Sequence, residues 1–136
     1  MIKPSQIDLA KYRFQDAMEK LESARILLDQ NKLKDSLSRS YYAMFSAARS
    51  LLALKGLDSR KHSGIISLFN QHFIKTGIID SSYGRRLKKA QLSRERSDYG
   101  DYIVVTLEEV QDQMKDATDF VDLIKQVLKN EIDVIS

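Results

Sequence analysis

Nine consecutive residues in the second half of the chain, Arg94-Glu95-Arg96-Ser97-Asp98-Tyr99-Gly100-Asp101-Tyr102, hold a dense set of chemically useful side chains. Arginine supplies a rigid fork of donors, aspartate supplies acceptors, and tyrosine supplies a ring with a polar tip. Such a group suits contact with a phosphate or a nucleobase. It equally suits an internal ion-pair network that closes a helical bundle. Between residues 85 and 96 there are six basic residues (Arg85, Arg86, Lys88, Lys89, Arg94, Arg96) against Glu95 alone. Between residues 101 and 122 there are seven acidic residues against Lys115 alone. A basic stripe is thus followed by an acidic one, and the basic one reads either as an anion-binding surface or as a solvated helix face.

Two further segments could carry chemistry. In Asp58-Ser59-Arg60-Lys61-His62-Ser63-Gly64, basic side chains fall where a helix is expected to start. There they oppose the helix dipole, unless a bound phosphate or a partner's carboxylate reverses the sign. Otherwise Arg60 and Lys61 extend into water and His62 makes a local contact. The run Ser38-Arg39-Ser40-Tyr41-Tyr42-Ala43-Met44-Phe45-Ser46-Ala47-Ala48-Arg49-Ser50-Leu51-Leu52 reads mainly as a central core helix. Its small residues let a neighbouring helix approach closely, and its paired tyrosines add area with a polar end. Arg39 and Arg49 are the exceptions, because an arginine among core positions needs a carboxylate, a phosphate or an exit to solvent.

Several chemistries are excluded by what is absent. There is no Cys, which removes disulfides, thiolate metal sites and thiol nucleophiles together. His62 and His72 are ten residues apart, which is not a metal-binding pair, and no metal or cofactor is expected. No glycine-rich phosphate loop is present, and nothing selects a Ser-His-Asp triad. No apolar run approaches the roughly 20 residues that span a bilayer. The opening residues MIKPSQIDLAKYRF lack the apolar stretch of a signal peptide, so a cytoplasmic protein is expected.

The elements that must position these groups are helices. The 136 residues fit one domain, taken as 1–136, and the single Pro stands at position 4, so little interrupts a helical chain. Phe14, Ala17, Met18, Leu21, Ala24 and Leu28 recur at helical spacing and predict a helix from about 6 to 29. After a turn at Asn31 and Lys32, Leu33, Leu37, Tyr41, Met44, Ala48 and Leu51 mark a second, ended by Lys55-Gly56. A third is expected to start at Asp58 or Ser59, both good N-caps, and to run to Thr76-Gly77. A fourth begins near Asp80 and carries the basic stripe, with Ser97 to Asp101 read as a turn. Ile103-Val104-Val105 is β-like but has no partner run for a sheet. Thr106 and Glu109 match a capping box, and Val110, Met114, Ala117, Val121, Ile124 and Leu128 define the last long helix. The expected fold is all-α: a single-domain, up-and-down antiparallel bundle of about five helices.

Residues 38–52, the stretch from Lys61-His62-Ser63-Gly64-Ile65-Ile66 through Gly77, and residues 94–102 together resemble the HEPN family (the higher eukaryotes and prokaryotes nucleotide-binding domain). The likeness is greatest to its small stand-alone prokaryotic members. The resemblance implies a helical bundle that forms a homodimer or pairs with a nucleotidyltransferase partner, often in a toxin–antitoxin setting. It also implies a metal-independent RNase signature, an Arg followed after four to six residues by His near the end of the fourth helix. Here Arg96 matches that Arg, and the residue after a five-residue gap is Tyr102. Tyr titrates near 10 against 6.5 for His and is a poor general base at neutral pH.

Three expectations about function follow. The first is an accessory HEPN-like protein that binds a nucleotide, an RNA or a nucleotidyltransferase partner and is not an efficient nuclease. Its contacts are expected from Arg39, Lys61, His62, Arg85, Arg86, Lys88, Lys89 and Arg94. The second is a metal-independent RNase toxin that uses Arg96, Tyr102 and Asp98. The third is a non-catalytic structural adaptor dimer in which the two charged stripes pair between protomers.

Overall fold

The computed structural model describes residues 2–133. It contains five α-helices: α1 (Pro4–Asp29), α2 (Leu33–Leu54), α3 (His62–Phe69), α4 (Ser81–Tyr99) and α5 (Leu107–Asp133). There is no strand among the described residues. The all-α reading therefore holds, and Ile103 and Val105 serve instead as apolar cover beside Leu37 and Val110.

Pro4 is the first residue of α1, where its missing N–H costs nothing and its fixed φ suits the helix. Asn31 takes a left-handed φ of 59° between α1 and α2, and Gly56 does the same after α2 at 68°. The helix α2 is the centre of the molecule. It packs along α1 and α5 and meets α3 and α4, and its Tyr41, Ala43, Met44, Ala47, Ala48 and Leu51 are fully buried. The small residues Ser40, Ala43, Ser46, Ala47, Ala48 and Ser50 are all buried, and just before them Ser36 Oγ donates to Ala24 O on α1 at 2.7 Å. On the α5 side, Gln113 Nε2 donates to Leu37 O at 2.8 Å and to Ser40 Oγ at 2.6 Å.

Two boundaries differ from the sequence expectation. The third helix starts at His62 rather than at Asp58 or Ser59. Asp58 makes a paired contact with Arg49, Nε to Oδ1 at 3.0 Å and Nη2 to Oδ2 at 2.9 Å, and also meets Arg13 Nη2 at 3.3 Å. Its backbone is thereby held in the α2–α3 connection, and Arg60 and Lys61 precede the helix instead of sitting in its first turn. After Phe69 the chain continues through a π-helical turn, Asn70–Ile74. The second correction concerns Ser97-Asp98-Tyr99, which belong to α4 rather than to a turn. The Arg94–Asp98 pair at i, i+4 supports that last helical turn, and Gly100 ends it.

Candidate functional site

Three helices converge on Arg94. From α2 come Tyr41, Tyr42 and Phe45, from the first residue of α3 comes His62, and from the last turns of α4 come Arg94 and Asp98. Tyr41 and Tyr42 are adjacent, so they diverge around α2 by about 100° and can hold one group between their rings. The Arg94 guanidinium carbon lies 5.4 Å from each of those ring centroids. Its Nη1 donates to Tyr42 Oη at 2.9 Å and to Asp98 Oδ2 at 3.1 Å. The side chain is only 12% exposed, whereas that of Asp98 is 40% exposed. Arg94 is thus a deep cation with a carboxylate at its rim. Its Nε–H is buried without a hydrogen-bond partner among the described residues.

His62 completes the group. Its ring stacks on Phe45 at 4.2 Å between centroids and meets Tyr42 edge-on at 5.7 Å. Its Nδ1 lies 3.2 Å from Tyr41 Oη, a hydrogen bond whose direction the imidazole tautomer sets. Burial, and then the positive charges of Arg94 and Arg49, hold the imidazole pKa below its ordinary 6.5, with Glu95 opposing. At neutral pH the ring is therefore mostly uncharged and can accept a proton. Burial pushes the Tyr41 phenol up, so it stays protonated. Chemically, the arrangement offers a cation to an anionic oxygen, hydroxyl groups beside it, and one neutral imidazole.

The remaining sequence-selected residues are distributed elsewhere. Arg96 is two positions beyond Arg94, about 200° around α4, and its Nη2 pairs with Glu109 on α5. Tyr102 stands fully exposed in the α4–α5 connection with φ of 58°. Arg86 Nε lies 3.8 Å from Asp116 on α5, and its guanidinium covers the Tyr83 ring. Two basic residues of α4 thus meet acidic residues of α5 within one chain, and Arg86, Lys89, Glu109 and Asp116 line a cleft of about 270 Å3. Arg85 donates to Ser81 Oγ at 3.1 Å and Lys88 to Gln91 Oε1 at 3.1 Å. Lys61 is exposed ahead of α3, and Arg39 is exposed on α2. The structure brings together Arg94, Asp98 and His62. It does not bring Arg96 into that cluster. No group of His, Asp or Glu side chains suited to hold a metal ion occurs among the described residues.

Sequence reasoning did not single out Tyr42 as the hydroxyl partner of Arg94. The spacing of Arg94 and Asp98 on one helix face was the signal available for that half of the site. The fold's tie between α2 and α3 is also outside the expected set: Asp58, held down to about pKa 2 chiefly by its hydrogen bonds with Arg49.

The HEPN domain model matches residues 10–127. Over 122 residues the chain is 33% identical to a UPF0332 protein of Thermotoga maritima, covering 90% of this chain and 92% of that protein. It is 38% identical over 113 residues to a candidate toxin of Methanocaldococcus jannaschii, covering 83% and 84% respectively. A stronger but shorter likeness, 54% over 69 residues, joins it to a UPF0332 protein of Pyrococcus horikoshii and spans 51% of this chain and 49% of that protein. With its five helices and a family match over nearly the whole length, the chain belongs to the HEPN domain family.

Proposed function

We propose that this HEPN protein binds the phosphate of an RNA or nucleotide at Arg94 and works as one member of a toxin–antitoxin-type pair, with a nucleotidyltransferase as its partner protein. The observation that carries the reading is Arg94 itself, a deep guanidinium gripped by Tyr42 and Asp98 between two aromatic rings. Asp98 is the more exposed member of the pair, so a phosphate can replace it on the guanidinium with stronger paired hydrogen bonds. The relation to a candidate toxin supports the setting. Arg85, Lys88 and Lys89 are exposed on the Arg96 side of α4, where they offer a separate positive surface to a longer strand. Fluorescence titration with short single-stranded RNA and with nucleotides tests this. Arg94→Ala is expected to weaken binding at least tenfold, and retention of full affinity in that variant overturns the reading.

A second reading, RNA cleavage without metal, is favoured by one observation: His62, from another helix, reaches the Arg94 cluster. In that reading His62 takes the proton from a ribose 2′-hydroxyl, and the 2′-oxygen bonds to phosphorus as the P–O5′ bond breaks. The leaving 5′-oxygen takes up a proton from His62 or water, and Arg94 steadies the charge on the phosphoryl oxygens. The alternative that follows the family signature uses Arg96 with Asp98 and with Tyr102, which stands where the signature has His. Induced expression separates the two: growth arrest with RNA breakdown, abolished by His62→Ala but not by Tyr102→Phe, is the outcome expected for His62. The active form in both readings is a homodimer, which mass measurement in solution checks at low and high salt.

A further inference from the structure

Tyr42 takes part in two places. Its hydroxyl oxygen accepts from Arg94, and the residue also lines a separate groove of about 440 Å3 with Leu27, Asp35, Ser38 and Arg39. Residues 35, 38, 39 and 42 follow the i, i+3, i+4, i+7 spacing, so they form one face of α2, and Leu27 closes the groove from the end of α1. Asp35 and Arg39 are four residues apart and both exposed, yet no ion pair joins them. Both are exposed enough to meet a ligand, and the Arg39 charge also acts on Asp16 of α1.

The pairing of opposite charges limits what that ligand is. A free phosphate is repelled by Asp35, and a simple cation is repelled by Arg39. The groove suits a flat group that shows acceptors on one edge and donors on the next, with an apolar face for Leu27 and the Tyr42 ring. A nucleobase has that form. Guanine uses the pair most fully: O6 and N7 accept from a guanidinium fork, while N1–H and the N2 amino group donate to a carboxylate. Adenine turns its N1 acceptor toward the carboxylate, and cytosine and uracil offer a single donor group. The volume leaves room for part of a ribose beyond the base. Tyr42 supplies continuity with the Arg94 site, because its own O–H proton remains free to donate while its oxygen accepts from Arg94.

We propose that the Asp35–Arg39–Tyr42 groove is a base-reading subsite that selects guanine next to the phosphate held by Arg94. The proposal deepens the nucleotide-binding reading and rests on it. The test is titration of the full chain with GMP, AMP, CMP, UMP and IMP, followed by amide chemical shifts. GMP is expected to bind roughly tenfold more tightly than AMP, CMP or UMP. IMP, which lacks the N2 amino group, is expected to fall between. Asp35→Ala and Arg39→Ala should each bring GMP down to the level of AMP, while Arg94→Ala weakens every nucleotide alike. Helical circular dichroism confirms that each variant is folded. Equal affinity for all the nucleotides, still dependent on Arg94, overturns the subsite and leaves the phosphate site standing. A guanine preference that survives both α2 variants also overturns it. Absence of binding by any nucleotide overturns both.

Discussion

Arg94 and Arg96 stand two residues apart on the same helix and meet different surroundings. Arg94 faces α2, where two tyrosine rings, a hydroxyl and a carboxylate enclose it to 12% exposure. Arg96 faces α5, is 44% exposed, and makes one ion pair with Glu109. An enclosed guanidinium keeps a fixed direction and feels little competition from water, whereas an exposed pair trades its attraction against hydration and side-chain entropy. The side of α4 packed on α2 and α3 therefore concentrates the chemistry. The side facing α5 neutralises charge.

The largest test of that contrast is truncation. Arg94→Ala leaves aromatic surface uncovered and Asp98 without its partner, and is expected to cost about 2–4 kcal/mol by urea unfolding. Next comes Tyr41→Phe, which deletes the hydroxyl beside His62 Nδ1 and is expected to cost about 1 kcal/mol. A third effect is pH dependence, read from NMR titration and unfolding midpoints. Because the folded His62 pKa lies below its ordinary 6.5, the unfolded chain binds that proton more readily, and stability from this residue rises with pH up to about 6.5 and is flat above. Removing the Arg94 charge should raise the His62 midpoint, and removing Arg96 should leave it in place. Smallest is Arg96→Ala, expected to change stability by less than about 0.5 kcal/mol. Equal losses for Arg94→Ala and Arg96→Ala would erase the distinction between the two faces.

Much of the fold was legible because helical spacing and a single Pro leave few other solutions. The helices α1, α2 and α5 follow their apolar residues closely. The misplaced start of α3 has a specific origin: Asp58 and Ser59 look like N-caps, but Asp58 is engaged by Arg49 and by Arg13, which is 45 residues away in sequence. Propensity read locally does not register a partner at that distance. At the end of α4, Ser97, Asp98 and Tyr99 carry turn character, and the Arg94–Asp98 contact keeps them helical. For the site, Arg94, Asp98 and His62 could each be named from the sequence. Their meeting could not, because it depends on how α3 and α4 cross α2. The five-residue gap that pointed to Arg96 and Tyr102 is a distance along the chain, whereas the cluster forms across helices.

Gln113 has a consequence for which packing the chain accepts. Two long helices with apolar seams, such as α2 and α5, can slide past each other by a turn while burying similar hydrocarbon area. The Gln113 amide is buried and bonded to Leu37 O and Ser40 Oγ. Any slid arrangement strands that amide in an apolar surrounding, at about 1–3 kcal/mol. Gln113 therefore works as a detent between the two helices, selecting one alignment among near-equals. Since α2 also carries Tyr41, Tyr42 and the groove residues, the alignment it selects holds the cluster's principal helix in place.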